Sequence, residues 1–253
     1  MQILITGVAG FIGFHLAKNL LKAKVKIVGI DSINSYYSTK LKKDLLKYLK
    51  KLDKKNIFKF KKIDISKKND LTKLFNEYKF DQVVHLAAQA GVRYSLENPR
   101  AYLVNNIDAF FNILDCSRQF KVNHFIYASS SSVYGNSKKR KSSELDSTDK
   151  PIQFYAATKK SNEVMAHSYS EIYKMRTTGF RFFTAYGPWG RPDHALYKFT
   201  NNIIKKRPVH IFNYGKHTRD FTYVDDIVSG IMQIMFLKKN KITKFKKSNI
   251  FNL

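Results

Sequence analysis

Cysteine, acidic residues and long apolar runs are all scarce in this 253-residue sequence. Cys116 is the only cysteine, which excludes an intrachain disulfide and fits the reducing cytoplasm, where we expect the protein to be located. No apolar run approaches the roughly 18 residues of a membrane span, so we expect no membrane association. The opening MQILITGVAGFIGF lacks the basic residues that begin a secretion signal, and its regularly spaced glycines indicate another use.

Negative charge is the second shortage. Nineteen Asp and Glu residues stand against 46 Lys and Arg residues, which gives a formal net charge of +27. Nucleic-acid sites favour the bidentate geometry of arginine, but only 9 of the basic residues are arginine and the lysines are spread along the chain. We therefore expect a solvated basic surface that attracts anionic small molecules, and no nucleic-acid partner. A polyanion-binding protein is the alternative, and its affinity would fall steeply with salt.

Two hydrophobic patterns alternate along the first two thirds of the chain. Short, nearly continuous apolar runs indicate strands that are buried on both faces, and apolar residues every three or four positions indicate helices between them. This alternation predicts an α/β fold with a Rossmann-like doubly wound parallel sheet. Strands are predicted at residues 2–7, 24–31, 57–65, 80–88, 124–130 and 177–187, and helices at 11–23, 40–52, 70–78, 102–120 and 154–170.

The alternation stops near residue 185, where loops rich in proline and glycine begin. We therefore predict one domain at 1–184 and a smaller region at 185–253. The lysines of the helix at 40–52 are predicted to form a solvated face. Lys160 is predicted to lie at the surface, because it is five residues from Tyr155 and points away from it on a helix.

Three glycines follow the first strand. Gly7, Gly10 and Gly13 form GxxGxxG at the start of a helix, where small residues let the backbone approach a pyrophosphate. Asp31 ends the next strand 18 residues after Gly13, and its carboxylate can accept hydrogen bonds from an adenosine ribose. It would repel a 2′-phosphate, so NAD is predicted rather than NADP. An ordinary tight turn with a strand-end aspartate is the alternative.

Tyr155 and Lys159 are one helical turn apart and share a helix face. An ammonium group beside the phenol favours the phenolate, which could take a proton from a sugar hydroxyl. YxxxK alone is a common pattern, and an exposed tyrosine with a solvated lysine would fit it equally well. The segment YASSSSVYG gives further support, because it follows the fifth strand, at the sheet edge where such folds bind ligands. Four serines could also form a plain polar loop.

Taken together, these motifs resemble the extended short-chain dehydrogenase/reductase family of NAD-dependent nucleotide-sugar epimerases and dehydratases. The resemblance extends over essentially the whole chain and rests on GVAGFIG, Asp31, HLAAQAGVRYS, SSSSVYG, YxxxK and RFFTAYGPWGRPD. Within the family the sequence is most similar to UDP-glucuronate 4-epimerases. Dehydratases have an Asp-Glu pair where this chain has Ser131 and Ser132, and Arg191 matches a position near C5 of the sugar. A guanidinium there could pair with a uronate carboxylate.

The resemblance implies a role for each matching residue. It implies three catalytic residues: Ser130, Tyr155 and Lys159. For the NAD site it implies Gly7, Gly10, Phe11, Ile12, Gly13, Asp31, Asp64, Ile65, Leu86, Ala87, Ala88, Asn106, Tyr155, Lys159 and Phe183, with Asn105 as an alternative to Asn106. For the nucleotide-sugar site it implies Ser130, Ser131, Thr184, Arg191 and Arg219.

The implied activity is the NAD-dependent 4-epimerisation of UDP-glucuronate to UDP-galacturonate through a 4-keto sugar. The alternatives are a 4-epimerase of neutral UDP-hexoses or N-acetylhexosamines, and an inactive NAD-binding module. The resemblance also implies a homodimer formed through the helices at 102–120 and 154–170. The histidines show no metal-ligand spacing, so no metal is expected.

The sequence departs from the family at three places. Ala109 and Phe110 stand where relatives have Gly-Thr, and His194 stands where a methionine is usual. Relatives continue for some tens of residues beyond the position that matches Leu253. We therefore expect the substrate-binding region at 185–253 to be incomplete.

Overall fold

The computed structural model describes residues 1–137, 139, 141–211, 213–216, 218–237 and 247–253. Within these ranges the strands are β1 (Gln2–Thr6), β2 (Lys26–Asp31), β3 (Phe58–Lys62), β4 (Gln82–His85), β5 (His124–Ser130), β6 (Arg176–Phe182), β7 (Thr184–Tyr186), β8 (Phe221–Tyr223) and β9 (Ser248–Asn252). Seven of them form one parallel sheet in the order β3-β2-β1-β4-β5-β6-β9. Helices connect these strands, so the fold is the doubly wound α/β arrangement that the sequence predicts.

The α-helices are α1 (Phe11–Lys22), α2 (Thr39–Leu52), α3 (Lys68–Glu77), α4 (Tyr94–Glu97), α5 (Pro99–Tyr102), α6 (Ala109–Gln119), α7 (Phe154–Tyr173), α8 (Ala195–Ile204) and α9 (Val224–Met235). No helix in the described ranges has both the length and the hydropathy to cross a membrane.

The helix predicted at 102–120 is present as far as Gln119, but its first part departs from α-helical geometry. Residues Leu103–Asp108 form a π-helical turn between α5 and α6. The Asn105 side-chain amide donates to the Ala101 carbonyl at 2.7 Å, and in an α-helix that oxygen would accept the backbone N–H of residue 105. The Asn105 side chain thus occupies the acceptor that its own backbone N–H would use in an α-helix, and the chain forms the wider π-helical turn at this point.

The core lies on both faces of the large sheet. On one face, Ile3, Ile5 and Ile27 pack with residues of α1, α2 and α9. On the other, Leu4 and Val28 pack with residues of α3, α6 and α7. Because both faces are covered, alternate residues of each central strand are equally apolar, which explains the continuous apolar runs of the sequence.

The strand predicted at 177–187 is two strands in different sheets. β6 ends at Phe182, and β7 pairs with β8 in a separate two-stranded parallel sheet. The hydrogen-bonding partners change between the two strands, since Phe183 N donates to Leu253 O at 2.7 Å and Thr184 N to Asp220 O at 3.0 Å. The chain therefore leaves the large sheet at Phe183.

The region predicted as a separate unit, 185–253, contributes to the large sheet as well as to the small one. β9 pairs with β6. Ile227 and Ile231 of α9 are fully buried in the core that contains α1. Residues 238–246 of this region lie outside the described ranges, as does His217.

Replacing Phe110 with alanine should destabilise the fold strongly. Phe110 is fully buried and its ring lies 5.7 Å from that of Phe125 and 5.5 Å from that of Tyr127. Truncation of a buried phenylalanine leaves a cavity and costs about 3–5 kcal/mol. Chemical denaturation should show this loss of unfolding free energy. Phe236→Ala is the matched control, because Phe236 is 42% exposed and its truncation should cost little; equal losses in the two variants would contradict the assignment of Phe110 to the core.

Candidate active site

A cleft of about 1150 Å³ opens at the carboxyl ends of the parallel strands. It includes the loops after β1 and β4, the neighbouring strands at which the strand order reverses and where such folds bind ligands. All but one of the residues implied by the family resemblance line this cleft. They are Gly7, Gly10, Phe11, Ile12, Gly13, Asp31, Asp64, Ile65, Leu86, Ala87, Ala88, Ser130, Ser131, Tyr155, Lys159, Phe183, Thr184, Arg191 and Arg219.

The loop between β1 and α1 has almost no room for side chains. Gly7 has φ +73°, and a Cβ atom there would lie 2.8 Å from Ala87 N. A Cβ atom on Gly13 would lie 2.2 Å from Gly7 O. Gly10 N donates to Gly7 O at 2.9 Å, which closes the turn before α1. The bare backbone and the helix N-terminus form a cradle that fits a dinucleotide pyrophosphate.

Asp31 lies at the end of β2, beside this loop. Its two carboxylate oxygens accept the backbone N–H groups of Ile33 at 2.9 Å and Ala9 at 3.1 Å. Burial raises the pKa of Asp31, while these two hydrogen bonds and the charge of Lys42 act in the opposite direction. The carboxylate is thus held in a fixed position on the cleft wall, where a ribose hydroxyl could donate to it.

Lys42 is the exception to the predicted solvated face of α2, whose other lysines are exposed: Lys40, Lys43, Lys47, Lys50 and Lys51. Lys42 is only 4% exposed. Its Nζ donates to Asn34 O at 2.8 Å and Asn34 Oδ1 at 2.7 Å, and it lies 4.3 Å from the centre of the Tyr37 ring. The loop between β2 and α2 supplies these acceptors, and the lysine pattern of the helix gives no sign of them.

Asp64 and Ile65 line the cleft beyond Asp31. Asp64 Oδ1 accepts the backbone N–H of Ser66 at 3.0 Å and its hydroxyl at 2.8 Å, so this carboxylate organises its own loop. Ile65 is 8% exposed and packs in the core on the α3 side of the sheet. A flat apolar ring could lie against this wall.

Asn106 is the one predicted site residue that does not line the cleft. Its side chain bonds both backbone groups of Gln89, accepting from N at 2.8 Å and donating to O at 3.1 Å, and donates to Thr158 Oγ1 at 3.1 Å. It therefore joins the loop after β4 to α7, behind the cleft wall. Asn105, the alternative, lines the cleft.

Tyr155 and Lys159 project from α7 toward the end of β5. Lys159 Nζ donates to Ala128 O at 2.8 Å and lies 6.0 Å from the centre of the Tyr155 ring. Burial lowers the pKa of Lys159 to about 8. Burial raises the pKa of Tyr155, whereas a hydrogen bond with Ser130 and the charge of Arg191 lower it. The phenol, the serine hydroxyl and the ammonium all line the cleft.

Arg191 lies across the cleft from the glycine loop, in the segment after β7. Its guanidinium forms a bidentate ion pair with Asp193, with Nε donating to Oδ1 at 3.0 Å and Nη2 donating to Oδ2. Burial lowers the pKa of Arg191, but Asp193, Tyr155 and Tyr37 together raise it, and the net shift is upward. Arg219 is exposed and donates to its neighbour's carbonyl, Thr218 O, at 2.7 Å.

Several cleft residues have no counterpart in the sequence-based set. The hydroxyl of Tyr36 donates to Asp193 Oδ2 at 3.3 Å, which links the loop after β2 to the segment of Arg191. Tyr37, Tyr94 and His194 also line the cleft. The SYYS segment begins four residues after the strand end at Asp31, so its nearness to the ligand-binding edge of the sheet could have indicated these tyrosines.

The stability of the cofactor-free chain should rise with pH in a window set by Lys159. Its pKa is about 8 in the folded chain, whereas that of an unperturbed lysine is 10.5. Below pH 8 the charged form is penalised in the fold, and this penalty disappears as pH rises toward 10.5, because the unfolded chain then binds more protons. The difference between the two pKa values corresponds to a gain of about 3 kcal/mol in the free energy of unfolding. Denaturation at several pH values should show this rise in the wild type relative to Lys159→Met; parallel curves would contradict it.

Comparison with known proteins gives consistent matches. The profile of the NAD dependent epimerase/dehydratase family matches residues 3–252. Protein CapI of Staphylococcus aureus is 55% identical over 235 residues, which cover 93% of this chain and 69% of that protein. A probable UDP-glucuronate 4-epimerase of Rhizobium meliloti is 46% identical over 234 residues, covering 92% of this chain and 68% of that protein.

Among solved structures, UDP-glucuronic acid 4-epimerase of Bacillus cereus, in complex with UDP-glucuronic acid and NAD, matches with a TM-score of 0.89 and 37% identity. The match covers 100% of this chain and 77% of that one. The Rossmann-like α/β fold and the family resemblance expected from the motifs are both confirmed. The chain belongs to the NAD dependent epimerase/dehydratase family.

Proposed function

We propose that this chain interconverts UDP-glucuronate and UDP-galacturonate by NAD-dependent epimerisation at C4, through a 4-keto sugar. One observation supports this substrate above others: the Arg191 guanidinium lines the same cleft as Ser130, Tyr155 and Lys159. A proton-handling group and a buried cation are thus available to a single sugar. The relatives from Rhizobium meliloti and Bacillus cereus, which bear the name UDP-glucuronate 4-epimerase, support the same choice.

NAD is the cofactor of this family. Gly7, Gly10 and Gly13 would hold its pyrophosphate, since their bare backbone forms a cradle that Cβ atoms would fill. Asp31 would bind the adenosine ribose, and Asn105 rather than Asn106 would contact the cofactor. When bound, NAD would accept the hydride that leaves C4 of the sugar and return it to the opposite face.

Tyr155 is the proposed base. Its phenolate would take the proton of the C4 hydroxyl as the C4–H bond breaks, and would return that proton when the ketone is reduced. Ser130 would hydrogen-bond the reacting oxygen and Tyr155 together. Lys159 would favour the phenolate by its charge, and the Ala128 carbonyl holds its ammonium group on that side of the helix.

Arg191 is the proposed uronate contact. Asp193 bonds the Nε and Nη2 atoms of the guanidinium, and Nη1 donates to none of the residues that the structure describes. A sugar carboxylate could therefore bind the remaining side of the guanidinium without displacing Asp193. Ser131 and Thr184 would contact the sugar, and Arg219, at the cleft mouth, would pair with the diphosphate.

Tyr155→Phe should abolish turnover while leaving NAD binding intact. Loss of a general base costs about 10²–10⁴-fold in rate. Purified chain would be incubated with NAD and UDP-glucuronate, and UDP-galacturonate resolved by chromatography. Tyr197→Phe is the control, because Tyr197 is 51% exposed on α8 and outside the cleft lining. No product from folded, NAD-loaded wild type would reject UDP-glucuronate as the substrate and favour neutral UDP-hexoses, N-acetylhexosamines or an inactive binding module.

Arg191→Met should weaken binding of UDP-glucuronate selectively. Loss of a charge-assisted bidentate pair is worth about 3 kcal/mol, which corresponds to roughly a 10²-fold rise in Kd. Calorimetry with NAD-loaded chain would measure the Kd of UDP-glucuronate and of UDP-glucose in the wild type and the variant. The Kd of UDP-glucose should stay within a few-fold. An equal rise for both ligands would argue against a uronate contact.

A further inference from the structure

Two consecutive residues at the end of β5 bond residues of α7. The Ala128 carbonyl accepts from Lys159 at 2.8 Å, and the Ser129 hydroxyl donates to Glu163 Oε1 at 2.6 Å. The next residue, Ser130, lines the cleft together with Tyr155, and its hydroxyl donates to Ser132 Oγ at 3.2 Å. Tyr155, Lys159 and Glu163 are spaced by four, so they share one helix face. Lys159, Ser130 and Tyr155 belong to the proposed chemistry, whereas the Ser129–Glu163 bond does not touch the cofactor or the sugar in that proposal.

Glu163 is held by Arg181 of β6. Arg181 donates from Nε to Oε1 and from Nη2 to Oε2, both at 2.9 Å. Both side chains are only 5% exposed. A buried ion pair of this kind typically adds little stability over apolar residues of the same size, because both charges lose their hydration. Stability alone therefore gives little reason to place two charges here.

The same guanidinium reaches the other end of the serine segment. Arg181 Nη1 donates to the hydroxyl of Tyr134 at 2.9 Å, and that hydroxyl donates to Asn252 Oδ1 at 2.7 Å. Tyr134 ends the 3-10 turn that begins at Ser131. Residues 130–133 therefore lie between two residues that are both connected to Arg181. Tyr134 accepts directly from Arg181, and Ser129 is connected to it through Glu163 of α7, the helix that bears Tyr155.

We propose that Ser129, Glu163 and Arg181 are positioning residues that set the contact between the Ser130 and Tyr155 hydroxyls. The inference rests on the proposed function, in which these two hydroxyls handle the C4 proton. The Ser129–Glu163 hydrogen bond fixes the end of β5 against α7, and Arg181 fixes the carboxylate that receives it. Without the Ser129–Glu163 hydrogen bond, the end of β5 can shift against α7, and Ser130 then moves relative to Tyr155.

The position of Ser130 relative to Tyr155 affects the pKa of the tyrosine. Burial raises the pKa of Tyr155 and the Ser130 hydrogen bond lowers it, so a looser contact moves that pKa upward. The other groups that face Tyr155 are Lys159 on its own helix, Tyr102 of α5 with its ring 6.0 Å away, and Arg191 from the segment after β7. None of these three bonds Ser129, so a change at Ser129 leaves their charges in place.

Ser129→Ala tests the proposal in the NAD-loaded chain. Misplacement of a reacting group by about 1 Å can cost 10²-fold, so kcat for UDP-glucuronate should fall about 10–100-fold with little change in KM. Because the phenolate is the active form, the acidic limb of the pH profile of kcat should move to higher pH. Ser129→Thr keeps the hydroxyl and should restore both values. Ser170→Ala is the control, since Ser170 is fully buried on the same helix and outside the network.

An ultraviolet titration separates this proposal from the proposed function. The phenolate signal of Tyr155 is the difference between the chain and its Tyr155→Phe counterpart, recorded with and without Ser129→Ala. The expected result is a higher titration midpoint in the Ser129→Ala background, whether or not any sugar is turned over. An unchanged midpoint, or an equal change in Ser170→Ala, would overturn the proposal. Should Ser129→Ala fail to fold, Glu163→Gln weakens the Ser129–Glu163 hydrogen bond and is titrated in the same way. A higher midpoint supports the proposal and an unchanged midpoint overturns it.

Discussion

The Gly7 backbone lies against two other segments at once, and the geometry of the cleft depends on this contact. Space for a Cβ atom is absent both toward Ala87, after β4, and between Gly13 of α1 and the Gly7 carbonyl. The loop therefore brings the amino end of α1 directly to the point where the strand order reverses. Asp31 accepts a hydrogen bond from Ala9 N of the same loop, so the end of β2 and the glycine loop form one connected wall of the cleft.

Helix α7 gives the opposite wall a similar rigidity by different means. One face of it carries a phenol, an ammonium group and a carboxylate at four-residue spacing, and the last two bond residues at the end of β5. Lys159 is charged at neutral pH although it is buried, and it has a backbone carbonyl rather than a carboxylate as its partner. Glu163 is instead paired with Arg181, one turn further along the helix.

The sequence predicts those parts of the site that consist of short, local motifs. GxxGxxG, Asp31 and YxxxK each occupy one turn or one strand end, so spacing alone places them. The parts that it does not predict depend on distant partners. Lys42 is buried because a loop supplies Asn34 as acceptor, and Glu163 pairs with an arginine 18 residues away in another element. Asn105 rather than Asn106 lines the cleft, and both lie in a π-helical turn, which changes the phase of the helix in a way that periodicity cannot reveal.

The pairing of β9 with β6 also bears on the order in which the chain can fold during synthesis. Strands β1 to β5 pair only with one another and with β6, so most of the sheet can form while the later residues are still being added. The outer edge of β6 stays unpaired until residues 248–252 emerge, and the backbone of Phe183 lacks its acceptor until Leu253 follows. An unpaired edge is a template for pairing with other chains. The nascent chain therefore carries an unpaired sheet edge until β9 has been synthesised.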